Sequence, residues 1–176
     1  MQVLIFLLLI ALAFMDRHFK HSVIYLLIFN LLLSWIAFQK DPILGLVVLV
    51  FSAGFLPAIS WWLVKRTEKR DVKRRWVPVI LILLPVIWIL KPPFDVLIYS
   101  LFCILLSANL LKAFFGLAFS QASLLYCILR IATPPVSGLM AEIFLELATF
   151  LPLLLLAYLT LELYRKYRNL SLWSIW

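Results

Sequence analysis

The stretch VSGLMAEIFLELATFLPLLLLAYLTL, residues 136–161, decides how this chain is read. Made helical, it is long enough to cross a hydrocarbon core of about 30 Å. Its only charged side chains are Glu142 and Glu146. Spacing of four puts both acids on one helix face. A carboxylate at membrane depth costs a few kcal/mol, of order 2 or more on insertion scales, so each acid is expected to face protein, water or a counter-charge.

The rest of the chain has the same character. Of 176 residues, 66% are hydrophobic, and mean hydropathy is +1.11. Charged residues cluster between long apolar runs instead of recurring along amphipathic faces, which is the pattern of spans joined by wet loops. The expected fold is therefore all-α, a polytopic transmembrane helix bundle. A net charge of +8 does not point to nucleic acid here, because no aromatic-plus-basic motif, zinc spacing or phosphate loop accompanies it. Cys103 and Cys127 sit in apolar runs without a CxxC or CxxH arrangement and read as packing residues. Ala11 and Ala13 mimic a signal-cleavage site, but without a basic region before the apolar run the segment reads as a retained first span.

Seven apolar segments are expected as spans: 2–15, 22–38, 42–64, 76–90, 94–108, 110–132 and 136–163. Basic residues test that count, since cytoplasmic loops are enriched in Lys and Arg. Alternating the spans puts Arg17, Lys20, Lys65, Arg66, Lys69, Arg70, Lys73, Arg74, Arg75, Lys112, Arg165, Lys166 and Arg168 on one side. Only Lys40, Lys91 and Arg130 of the 16 basic residues fall on the other. The expected topology has the N-terminus outside and the C-terminus in the cytoplasm. The run 65–75 reads as a headgroup anchor on the membrane surface.

An internal repeat emerges from spaced Gly, Phe and Pro positions. Pro42, Gly45 and Leu46 followed by Ala53, Phe55, Leu56 and Pro57 recur as Pro135, Gly138 and Leu139 followed by Ala148, Phe150, Leu151 and Pro152. Phe19-Lys20 matches Leu111-Lys112 at the start of an earlier span. Spans 1–3 then correspond to spans 5–7 in the same orientation, a parallel repeat. The organisation that follows is a first repeat over 1–66, a basic loop and connector span over 67–93, a second repeat over 94–168 and a tail over 169–176. Val47, Val48, Leu49 and Val50 occupy the place where the second copy carries both glutamates. Pro57 and Pro152, each inside an apolar run, are expected to kink or locally unwind their helices.

Three chemistries suit Glu142 and Glu146: a salt-bridged structural pair, a proton or cation relay, and metal ligation. The last is the weakest, because the two histidines, His18 and His21, fall at the opposite membrane face. A relay is plausible chemistry because burial raises carboxylate pKa values toward neutrality. Counting from Val136, Glu142 lies about 9 Å deep and Glu146 about 15 Å. Glu146 is thus the prime relay candidate. Arg130 is close enough in sequence to reach Glu142 across the turn, and Lys112 stands at the other end of span 6. Ser120, Gln121 and Ser123 lie between them as a sparse polar string. Glu162 is expected to pair with Arg165 or Lys166, Asn30 and Ser34 to bond across a helix interface, and Asp41 and Asp95 to start helices. No HExxH, GxSxG or Ser/His/Asp pattern supports an enzyme. No cofactor, metal or catalytic residue is expected.

Leu111-Lys112-Ala113, then Thr133-Pro134-Pro135-Val136-Ser137, then Glu142 and Glu146 resemble the small membrane subunits of Mrp-type multisubunit cation/proton antiporters and of related membrane-bound hydrogenases and complex I-like assemblies. The resemblance covers about 108–166 and, more faintly, the first copy. It departs where the family carries a loop acid and this chain has Pro135. The resemblance implies a non-catalytic subunit of a prokaryotic inner-membrane complex, two fused copies of such a unit, packed among antiporter-like and other small membrane subunits. It further implies that the carboxylates serve proton or sodium translocation or its coupling to a redox module. A purely structural or assembly subunit, and a small self-contained carrier, are the other readings that the residues leave open.

Overall fold

The computed structural model describes residues 2–16, 18–67, 94–105, 107, 109–131 and 137–167. These residues form α1 (Gln2–Met15), α2 (Phe19–Lys40), α3 (Pro42–Val48), a π-helical segment (Leu49–Phe55), α4 (Leu56–Arg66), α5 (Phe94–Leu105), α6 (Leu110–Ile131) and α7 (Ser137–Tyr167). Among the described residues there is no strand, so the all-α expectation holds. The α3, π and α4 segments form one continuous rod, Pro42–Arg66. Six of the seven expected spans thus correspond to helices; the one over 76–90 lies outside the described residues, as do the basic run from 68 to 75 and the tail over 169–176.

Among the described residues three helices, α2, the rod and α6, are long and apolar enough to cross a membrane. Their outward faces are apolar as well: Trp35 on α2 is 65% exposed, Ile43 on the rod 59% and Ile131 on α6 57%. A helix that is hydrophobic all round suits lipid, not water. Together these features indicate a helical membrane protein.

Local chemistry explains the element ends. Asp41 interrupts α2 and starts the rod, its side chain accepting from the Ile43 and Leu44 N–H groups at 2.7 and 3.2 Å, with Pro42 in the first turn. Before Pro57, which has no N–H to give, the rod widens into the π segment, and the Leu56 N–H reaches back to the Phe51 carbonyl. Pro152 lies inside the continuous α7.

In lipid, burying apolar surface gives little drive for helix association, so shape and specific contacts carry it. An aromatic cluster ties three helices together. Phe6 of α1 packs on Phe29 of α2 at 4.4 Å between centroids and edge-on to Tyr126 of α6 at 4.9 Å. Phe29 also meets Phe119 of α6 at 5.5 Å. Each such pair is worth about 0.5–1.5 kcal/mol beyond its area.

The contacts also set direction. Helix α1 runs antiparallel to α6, with Gln2 beside Arg130 and Phe14 beside Lys112. Likewise α5 is antiparallel to α6, since Ser100 meets Ser120 and Ile104 meets Gly116. Phe19 stacks on Phe115 and Phe29 meets Phe119 edge-on, so α2 and α6 run the same way. Phe51 touches Phe150, and Trp62 shares a groove with Ala157 and Leu161, so the rod and α7 also run the same way. One end of the bundle consequently gathers Lys20, which lies 5.6 Å from the Trp61 ring centroid, with Lys65, Arg66, Lys112, Arg165 and Lys166. The other end holds Lys40 and Arg130.

Candidate functional site

Helix α6 is central, with most of its membrane-length window buried, and its two faces differ. Phe115, Phe119 and Tyr126 line one face toward α1 and α2. Gly116, Ser120, Ser123 and Cys127, spaced by four, three and four, share another face, which meets α5 at Gly116 and Ser120. At Gly116 a Cβ would meet Ile104 Cγ1 and would lie 3.3 Å from Ile104 Cα. The missing side chain lets α5 approach closely enough for the Ser120 hydroxyl to donate to Ser100 Oγ at 3.1 Å. Ser100 in turn donates to the Leu97 carbonyl at 2.7 Å.

Charged groups stand at both ends of this seam. Asp95, only 2% exposed, occupies the first turn of α5, and its Oδ1 accepts from the Val96 N–H at 2.8 Å. At the opposite end, in the first turn of α6, stands Lys112. Between Lys112 and Cys127 the seam spans about 22 Å of helix, most of a hydrocarbon core. Both cysteines, Cys103 and Cys127, are buried, and neither is in a disulfide.

Lys112 and Arg130 also have structural duties. The Lys112 ammonium donates to the Phe14 carbonyl at 2.6 Å, one of the orphan acceptors in the last turn of α1, where a cation also offsets the helix dipole. Arg130 donates to the Tyr126 hydroxyl at 3.3 Å and to the Gln2 side chain, and its guanidinium stacks over Tyr126. The two cations therefore pin α1 to α6 at both ends. Of the polar string expected on span 6, Ser120 joins the seam, and Ser123 is fully buried and donates to the Phe119 carbonyl at 2.7 Å. Gln121 is buried with its Oε1 unbonded. Ser34 bonds the Gly45 carbonyl at 3.4 Å, joining α2 to the rod, whereas both amide atoms of Asn30 are buried and unbonded.

Glu142 and Glu146 lie on the helical backbone of α7, which packs against α6 and the rod; their side chains lie outside the described part of the structure. Among the described residues no group of three or more His, Cys, Asp and Glu side chains could hold a metal ion. Sequence reasoning treated Asp95 as a helix start and Cys103 and Cys127 as packing residues. The polar string Ser120, Gln121 and Ser123 foreshadowed part of their common seam, but its register against α5 was not legible. No family model, curated protein or solved structure matches the chain.

Proposed function

We propose that this protein is a non-catalytic integral membrane subunit of a proton- or sodium-translocating assembly of the Mrp-like or complex I-like kind, in a prokaryotic inner membrane. Glu146 is the prime relay residue, Glu142 supports it, and Lys112 is the coupling cation. The observation that carries the reading is the buried α5–α6 seam, with Asp95 and Lys112 at its ends and the Ser100–Ser120 hydroxyl pair between. Charge inside a bilayer is expensive and marks ion pathways more often than packing. The seam belongs to the same half of the chain as both glutamates. It does not by itself supply polar groups throughout a crossing, so the chain works with antiporter-like and other small partner subunits.

The proposed topology has seven spans, the N-terminus outside and the C-terminus cytoplasmic. The gathering of Lys20, Lys65, Arg66, Lys112, Arg165 and Lys166 at one end of the bundle supports it. A parallel duplication is supported by the packing pattern. Exchanging α1, α2 and the rod for α5, α6 and α7 carries the α1–α2 contact onto α5–α6 and the α2–rod contact onto α6–α7. The three helices of one half each touch their counterpart in the other.

The bond from Lys112 to the Phe14 carbonyl favours a second reading, a structural subunit whose charges hold helices in place. Glu146→Gln in the intact complex separates the two. Ion translocation falling at least about tenfold, with assembly unchanged, supports the relay; full translocation in a normally assembled complex refutes it.

A further inference from the structure

The rod and α7 leave an open groove between them at the basic end of the bundle. Its volume is about 440 Å³, and Ala58, Ile59, Trp62, Leu154, Ala157 and Leu161 line most of it. Tyr158 completes the lining, which is almost wholly apolar, and Ala58 and Ala157 leave the width. From Leu154 to Leu161 the groove runs about 10 Å along α7, roughly two-thirds of the ~15 Å of hydrocarbon in one leaflet. Trp62 is 46% exposed and Tyr158 63%. Both residue types sit at headgroup level in membrane proteins.

The mouth is cationic from both sides. Because the rod and α7 run parallel, the last turn of α4 brings Lys65 and Arg66, and the last turn of α7 brings Arg165 and Lys166, one turn beyond the apolar lining. All four are exposed. Arg66 lies 5.6 Å from the Trp62 ring centroid, directly over the groove wall. Arg165 is 4.0 Å from Glu162, an exposed contact too long to neutralise it. An apolar slot under a ring of cations is complementary to one class of molecule, an amphiphile with an aliphatic tail and a negative head.

We propose that this groove binds a membrane phospholipid with an anionic headgroup, an acyl chain lying between α4 and α7 and the phosphate held by Arg66 and Arg165 with Lys65 and Lys166 around them. A cation in the last turn of a helix offsets its dipole wherever it occurs. That role does not require two such helix ends to converge on one apolar slot, and it confers no lipid preference.

The test uses the full chain in bilayers of equal phosphatidylglycerol and phosphatidylcholine, with a photo-crosslinking phenylalanine analogue replacing Tyr158. Adducts are identified by mass spectrometry, and the same analogue at Leu151, 70% exposed and away from the groove, reports bulk lipid. The expected result is phosphatidylglycerol over phosphatidylcholine by about tenfold at position 158, the factor that 1.4 kcal/mol carries, against equal capture at 151. Arg66→Gln with Arg165→Gln brings the ratio at 158 close to one while lipid is still captured. Equal capture at 158 in the otherwise unaltered chain overturns the proposal. So does crosslinking to the chain's own 76–90 segment, to a second copy or to another protein in place of lipid.

Discussion

Two glycines with different neighbours provide a graded test of the packing. A methyl group added at Gly45 would meet the Phe38 ring and lie 2.7 Å from Phe38 Cα. Backbone cannot rotate aside, so Gly45→Ala must push α2 and α3 apart. Overpacking costs about 1–3 kcal/mol, while replacing Gly by Ala inside a helix returns up to about 1 kcal/mol. The net destabilisation at Gly45 is then roughly 1–2 kcal/mol. At Gly116 the nearest atom is Ile104 Cγ1, a branch atom with little rotamer freedom in a helix, but the nearest backbone atom, Ile104 Cα, stands off at 3.3 Å, so Gly116→Ala should cost less than Gly45→Ala, about 1 kcal/mol. Equilibrium unfolding in mixed dodecylmaltoside and dodecylsulfate micelles measures both. Adding Ile104→Ala should relieve Gly116→Ala, with a coupling of about 1 kcal/mol. Phe38→Ala should leave much of the Gly45→Ala defect, because the offending Cα remains. A neutral Gly45→Ala, or its complete rescue by Phe38→Ala, would refute the close backbone contact between α2 and α3.

Lys112→Met removes a charged donor from the Phe14 carbonyl; a loss of about 1.5–3 kcal/mol is expected, read in the same unfolding assay, and an unchanged midpoint would show that this bond contributes nothing. Asp16 responds to pH. Burial raises its carboxyl pKa, but the His18 N–H at 2.8 Å, the His21 ring at 2.8 Å and the charges of both histidines outweigh that and hold it below its ordinary 3.8. A lowered folded-state pKa means that stabilisation is present above the ordinary carboxylate range and fades as pH falls through the lowered value. Unfolding profiles of the unaltered chain and Asp16→Asn should differ near neutrality and converge in acid; parallel profiles at every pH would contradict the linkage.

Much of the helix plan was legible because length, hydropathy and punctuation agreed. Asp41-Pro42 marks the start of the rod in sequence and caps it in the fold, and Glu162 does approach Arg165, at 4.0 Å. Pro57 signalled a local disturbance without specifying that the preceding turn would widen into a π segment. The polar seam was less legible. Ser120 and Ser123 stood out as polar residues in an apolar run, yet Ser100, Asp95 and Cys127 acquire meaning only when the face of α6 that meets α5 is known. That face is set by the close approach at Gly116, a pairing distant in sequence. Arg130 illustrates the same limit. Its nearness to Glu142 along the chain suggested one partner, whose side chain lies outside the described residues; the antiparallel course of α1 brings another, Gln2, from the far end of the sequence.

Purification of the tagged full chain from its native membrane in mild detergent, with quantitative mass spectrometry of everything that accompanies it, tests the central claim most directly. A subunit of an ion-translocating assembly should emerge with large polytopic antiporter-like chains in fixed stoichiometry. A monodisperse 20.5 kDa chain accompanied only by lipid and detergent would contradict the account.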